Sequence, residues 1–428
     1  MARSAIYPSS VQPGKPRLGS PPRGWCTVTF SDLFEVIERP AVLDDSEEYQ
    51  LITAKRSRGG IVPRERLRGK DILTRTQFYV SEGDFLISNR QIIHGGCGIV
   101  PPALDGAIVS NEYTVLRPRP VLRPDFLLYL PHSIYFQQTC FHASVGVDVE
   151  KMVFDVDQWS TFKIHLPPMS EQEAIAEILL GIDDAIRATQ AVIEQTRKVR
   201  QGGLERLLTK GIGHSRFKQT EIGAVPEDWK VLRLEEIAAV ERGKFSARPR
   251  NDPRFYGGDI PFVQTGDVVR AGGILKEHSQ TLNKEGLRVS KMFPSGTVLV
   301  TIAANIGDTA ITSYPICCPD SVVGVSPHDG IDCWWLREFL VTQKSNLDRQ
   351  ATKNAQKNIN LQHLKPISVP TPPSEEQYEI GQHARHLASV IDALERELEQ
   401  QATMKSALMC DLLTGRKRVS AYALSPAL

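Results

Sequence analysis

The side chains of this chain that could do chemistry by type and spacing are cations. The segment KRSRGGIVPRERLRGK (55–70) sets Lys55, Arg56 and Arg58 ahead of Arg64, Arg66, Arg68 and Lys70, against the single carboxylate of Glu65. RGKFSARPRNDPR (242–254) brings Arg242, Lys244, Arg248, Arg250 and Arg254 together, RPRPVLR (117–123) adds Arg117, Arg119 and Arg123, and KNAQKN (353–358) adds Lys353 and Lys357. Guanidinium and ammonium groups strung along irregular Gly/Pro-rich segments can follow a phosphate backbone. Lys55, Arg56, Arg58, Arg242, Lys244, Arg248, Arg250, Lys353 and Lys357 are therefore the candidate DNA contacts. A charge run is more often solvated surface, and the net charge of the chain is only +1. Nucleic-acid binding has to rest on these local patches.

Catalytic patterns are lacking. ERGKFS (241–246) has the Gly-Lys of a phosphate loop without its flanking residues. HGGCGIV (94–100) has glycines at 95, 96 and 98, which is not the dinucleotide spacing, and it reads as a turn. His383 and His386 stand three apart on a helical stretch with no third ligand near them, as on a solvated face. SPPR (20–23) has an arginine where amino-methyltransferases carry the aromatic ring that stacks on a flipped base. The expectation is a chain with no catalytic residue, no metal site and no cofactor of its own. Seven cysteines without a CxxC pair read as reduced thiols in the cytoplasm. No apolar run approaches the ~18 residues needed to span a bilayer. With 41% hydrophobic and 24% charged residues, the composition is that of a soluble globular protein.

The elements that must position the cations are written twice. LPPMSEQEAIAEIL (166–179) matches VPTPPSEEQYEIGQ (369–382) at an offset of 205, and the same offset aligns Ile186 with Ile391 and Leu207-Leu208-Thr209 with Leu412-Leu413-Thr414. Pro22-x-x-Trp25 pairs with Pro226-x-x-Trp229, and YVSEGDFLIS (79–88) with MFPSGTVLVT (292–301). The first part of each copy mixes short Gly-entered strands with brief helical pattern, as in CWWLREFLVTQ, and reads as a compact α+β domain. The second part is a long helix. Ser170 with Glu173 and Ser374 with Gln377 look like capping boxes, apolar residues follow heptad steps (Ile175, Leu179, Ile182, Ile186, Ile193, Leu207; then Ile380 to Leu412), and Gly211 and Gly415 end the helices. Gly202 and Gly203 interrupt the first of them, and Arg200 and Lys405 fall on the seam. The expected fold is α+β: two similar domains separated by two long antiparallel helices in a coiled coil, a pseudo-twofold tandem duplication. The boundaries are a flexible arm over 1–24, a first head over 25–167, a first spacer helix with linker over 168–225, a second head over 226–370, a second spacer helix over 371–415 and a tail over 416–428.

On these marks, P-x-x-W opening each copy, P…EQ…I entering a long helix that ends in LLT, and IPFVQTGDVV (260–269), the chain resembles the specificity subunits of type I restriction-modification systems over residues 22–418. The resemblance implies two target-recognition domains, no catalysis by this chain, and a bipartite, asymmetric double-stranded DNA target with an unread spacer. It implies methyltransferase subunits that use S-adenosylmethionine to methylate adenine, and a motor-nuclease subunit that uses ATP and Mg²⁺. YQLITAKRSRGG (49–60), which stands where FVQTGDVVRAGG (262–273) stands in the second copy, departs from the repeat. Two other classes stay open: a protein-binding scaffold with duplicated heads, and a single-chain restriction-methylation enzyme. Off the heptad line, Leu180, Val192 and Val199 could face a methylase or a head.

Overall fold

The computed structural model describes residues 14, 16–303, 305–351 and 358–419. Lys353 and Lys357 lie outside the described residues, as do most of the expected arm and residues 420–428. The chain divides into two compact units, one made of 1–188 with 398–428, the other of 189–397. Each unit thus holds one head, the start of one long helix and the end of the other.

In the first unit, strand Cys26–Thr29 pairs antiparallel with Lys163–Leu166, which brings the two ends of the head together. Phe34–Val36, Tyr113–Pro118, Phe85–Ser88 and Cys97–Ile99 form a four-stranded sheet in that order. Phe85–Ser88 is buried along its whole length and is entered through Gly83, whose φ of 81° is the left-handed region that a glycine turn supplies. A five-stranded sheet orders Pro40–Ala41, Gln77–Tyr79, Ile108–Ser110, Glu48–Ala54 and Ile61–Arg68. Phe30, Phe136 and Trp159 fill the core beneath, with Phe30 stacked on Trp159 at 4.1 Å between centroids.

The second unit repeats the plan. Lys230–Arg233 pairs with Ser368–Thr371. Ala238–Arg242, Val322–Pro327, Val298–Thr301 and Thr309–Thr312 run in the same order as the first head's four strands, with Ile274–Leu275 added at the edge. Gly296, at φ 84°, enters the buried strand Val298–Thr301 as Gly83 enters its counterpart. CWWLREFLVT is a helix, Cys333–Thr342, with Trp335 and Leu336 in the core. The departure noted in the sequence is structural. YQLITA is a strand that turns into the hairpin partner Ile61–Arg68, whereas Phe262 ends a strand that leads into the helix Thr265–Ala271.

The long helices span Met169–Lys210 and Ser374–Leu412. Their starts differ from the expected capping boxes. The first intrahelical bonds run from Gln172 N–H to Pro168 O at 2.9 Å and from Gln377 N–H to Pro373 O at 3.0 Å, so the prolines are the caps and the serines lie inside the first turn. Gly202 and Gly203 do not break the first helix. In the first unit, Asp183 pairs with Lys405 and Glu171 with Arg418, so the two helical segments there run antiparallel. In the second unit, Arg197 pairs with Glu395 at 2.6 Å and Glu376 accepts from Ile212 N–H at 2.8 Å, which gives the same sense. Seam residues Ile175, Leu179, Ile193, Ile380, Ala384 and Ile391 are buried. Past Ile193 the buried positions are Leu204 and Leu208, with Leu207 only packed at the edge, because that stretch of helix lies against the second head. A hairpin, Phe217–Thr220 with Gly223–Pro226, fills what the sequence left as linker.

Candidate nucleic-acid interface

The repeated sequence words converge on one knot in each unit. In the first, Trp25 Nε1–H donates to Glu171 at 2.9 Å, and Arg418 clasps the same carboxylate through Nε and Nη2 at 2.6 and 2.7 Å. In the second, Trp229 Nε1–H donates to Glu376 at 2.9 Å, and His214 Nε2 lies 3.0 Å from it. The neighbouring glutamines tie head to helix. Gln172 accepts from Arg123 N–H and donates to Pro167 O, and Gln377 accepts from Asp332 N–H and donates to Pro372 O. Gly415 and Gly211 finish the knots, each at positive φ. A Cβ on Gly415 would stand 2.4 Å from Pro22 Cγ, and one on Gly211 would stand 2.4 Å from Glu376 Oε1. Both seam cations are paired inside their own units: Lys405 binds Asp183, which also accepts from Tyr129 OH at 2.7 Å, and Arg200 binds Glu338 at 2.7 Å.

On these frames sit the candidate contacts. In the first head, Lys55, Arg56 and Arg58 occupy the connection between strands Glu48–Ala54 and Ile61–Arg68. Lys55 and Arg56 are exposed, and Arg56 donates to Gln91 Oε1 at 2.7 Å and pairs with Glu150 at 3.3 Å. Arg58 is half-buried. Its N–H bonds Gly95 O at 2.9 Å, its φ is 58°, and it lines a small cavity of about 100 Å³ with Cys97, Gly98 and Leu127. Burial pulls its guanidinium below the usual arginine range, an effect that the nearby Cys97 opposes. The HGGCG turn is therefore a cradle. Gly98 lets the chain pass Gly60, where a Cβ would meet Gly60 Cα at 3.2 Å. The rest of the basic run is a strand with a break in its ladder: Arg64, Arg66 and Arg68 stand exposed on Ile61–Arg68, and the register with Glu48–Ala54 shifts between the Gln50–Arg66 and Ile52–Pro63 pairs.

In the second head, Gly243 passes so close to the chain at Pro319 that a Cβ would stand 2.3 Å from its carbonyl oxygen. That approach sets Arg242 against the Asp320 carbonyl, while Arg250 holds the Asp320 carboxylate at 2.8 and 2.9 Å. Arg248 donates to Phe245 O and Ala247 O, and Lys244 is exposed. Beside them opens a cleft of about 400 Å³ lined by Arg250, Asn251, Tyr256, Gln264, Gln280 and Ser321 over the rings of Phe245 and Phe262. The structure thus brings Arg250 to the wall of the cleft, keeps Arg242, Lys244 and Arg248 in the segment that leads to it, and sets Lys55 and Arg56 around one hairpin connection, with Arg58 turned to packing. Sequence reading missed Tyr256, Gln264 and Gln280. Gln264 stood in view within IPFVQTGDVV, but nothing local tied it to Gln280. Among the described residues no group of His, Cys, Asp or Glu is arranged to hold a metal ion, and His383 and His386 are exposed. No described helix is long and apolar enough to cross a membrane.

Residues 22–196 and 226–404 match the family described as type I restriction modification DNA specificity domain. The chain is 27% identical over 433 residues to the type I restriction enzyme MjaVIII specificity subunit of Methanocaldococcus jannaschii, covering 93% of this chain and 94% of that protein. Its fold is similar to a chain in a structure of complex assembly and conformational transition of the type I R-M system, with TM-score 0.63, 20% identity, and coverage of 94% of this chain and 100% of that one. It is also similar to the HsdS subunit from Thermoanaerobacter tengcongensis, with TM-score 0.51, 20% identity, and coverage of 93% and 99%. The two heads, with Trp25 and Glu171 in one and Trp229 and Glu376 in the other, fall within the two matched segments, and the chain belongs to the type I restriction-modification DNA specificity family.

Proposed function

We propose that this chain is the non-catalytic DNA-specificity subunit of a type I restriction-modification complex, in which each head reads one segment of a bipartite, asymmetric double-stranded target. The observation that carries the reading is the pairing of sameness with difference. The Trp–Glu–Gln knots are built alike in both units, whereas the candidate contact features differ, a cationic hairpin connection in one head and an amide-lined cleft beside a basic segment in the other. Equivalent mounts with different faces suit two independent readers. The long helices set the unread gap and carry the partner subunits: methyltransferases that bring S-adenosylmethionine, and a translocase-nuclease that brings ATP and Mg²⁺, all acting on cytoplasmic DNA. On the first helix Val192 and Val199 are 49% and 55% exposed and suit an apolar partner face, whereas Leu180 packs into the first head's core. Most of the cations would touch phosphate, positioning rather than specifying.

The test is an exchange. Replacing residues 229–370 with the second head of another family member should change one half of the methylated target and leave the other half alone. Change in both halves would end the reading of the heads as independent. In the same preparation, charged replacements at Val192 and Val199 should lower co-purification with the methyltransferase while leaving the unfolding midpoint in place.

A further inference from the structure

Gln264 and Gln280 reach the second head's cleft from different elements and meet there. Gln264 precedes the helix Thr265–Ala271, and Gln280 opens the strand Gln280–Leu282, opposite Phe262 in the ladder. Gln264 Nε2–H donates to Gln280 Oε1 at 2.9 Å. The backbone beneath both is anchored to one buried carboxylate: Asp267 Oδ2 accepts from Gln264 N–H at 2.8 Å and from Ser279 Oγ–H at 2.9 Å. The pair is therefore held on a fixed frame rather than on two independent loops.

Two amides joined by one hydrogen bond leave one carbonyl oxygen and one NH₂ group unused by the other, whichever way each amide is turned. The pair thus offers an acceptor beside a donor. In the major groove adenine offers N6–H, a donor, beside N7, an acceptor, whereas guanine shows two acceptors, cytosine an amino donor, and thymine an acceptor and a methyl group. Of these edges, adenine's alone complements an acceptor-donor pair from one base. Arg250 on the wall of the same cleft, with Arg242, Lys244 and Arg248 in the segment that leads to it, supplies the positive charge that would grip the backbone beside such an edge.

We infer that the Gln264–Gln280 amide pair is a specificity determinant that reads the major-groove edge of one adenine in the DNA segment taken by the second head. The inference rests on the reading of the chain as a specificity subunit and goes further, to the residues and the base. The test uses the whole complex with its methyltransferase subunits. The methylated motif is mapped by long-read sequencing for the wild type, for Gln280→Ala, and for the double variant Gln264→Ala with Gln280→Ala, with unfolding midpoints measured in parallel. In the double variant the preference for adenine should fall about tenfold to a hundredfold at one position. That position should lie in the half of the motif that changes when residues 229–370 are exchanged. If the double variant is poorly folded, Gln280→Ala, at an exposed strand end, should show a partial loss at the same position. An unchanged motif, or a loss spread over both halves, overturns the inference. A wild-type complex that methylates without sequence preference would overturn the specificity reading itself, and the amide pair with it.

Discussion

Glu171 and Glu376 explain why two letters recur in the sequence two hundred residues apart. Each carboxylate receives an indole N–H from the start of its own head and a second group from the residues that follow the other copy's helix, Arg418 in one unit and His214 in the other. A hydrogen-bonded acid at that position joins three remote pieces of chain, which an apolar residue of the same size could not do. In the first unit a second residue, His132, ties stability to pH. Burial, with the cations Arg58 and Lys405 adding to it, pulls His132 down to about 4. An unfolded chain binds that proton below about pH 6.5, and the folded one refuses it until about pH 4. The protonated unfolded state therefore gains on the native state as pH falls, and stability is lost across that window, up to about 3 kcal/mol in all. The substitution His132→Gln should flatten this part of the acid limb. Urea unfolding of the first unit at pH 7 and pH 4.5 checks it, and an equal loss with and without the histidine would assign the effect elsewhere.

Among the elements, glycines separate what the long helices tolerate from what they require. Gly202 and Gly203 sit inside the first helix with open space where a Cβ would stand. Gly202→Ala and Gly203→Ala should each raise stability by about 0.5–1 kcal/mol, since alanine fixes fewer unfolded conformations and favours helix. Gly415→Ala meets both a positive φ of 68° and the Pro22 ring, so it should cost at least about 1–2 kcal/mol. Thermal unfolding of the three variants orders them, and a stabilised Gly415→Ala would contradict the knot. The same contrast explains what could be read from sequence. Heptad spacing, the EQ words, the terminal glycines and the Gly-entered strands are local patterns, and the helices and buried strands stand where they point. The capping boxes failed because Pro168 and Pro373 were already placed to receive the first helical bonds. The basic run 55–70 looked irregular because its Gly and Pro residues hid the hairpin, whose strands pair across a turn braced by Gly95. Gln264 with Gln280, and Arg58 with Gly95, join residues that no period connects, so the site was legible only as a region of charge.

At the scale of the molecule, neither copy of the repeat closes its own core. The first unit takes Leu412, Leu413 and Arg418 from the far end of the chain, and the second takes Leu204, Leu208 and His214 from the end of the first copy. A chain stopped after Glu397 keeps the whole of the second unit and strips the first of its closing pieces. Limited proteolysis of that shortened chain should leave 189–397 resistant while the first head is cut, and equal resistance of both would argue that the first head is stable without them. The bond between Glu171 and Arg418 spans 247 residues of sequence, and this has a meaning on the ribosome. The head that emerges first cannot complete its knot until Arg418 has followed it, because Trp25 and Arg418 share the Glu171 carboxylate. A chain released earlier still would leave apolar surface around that indole without Leu412 and Leu413, the kind of surface that chaperones and proteases bind. A chain that stops short of Arg418 would therefore carry the Trp25–Glu171 pair without its third member, and the first head would stay open at the point where its own two ends meet.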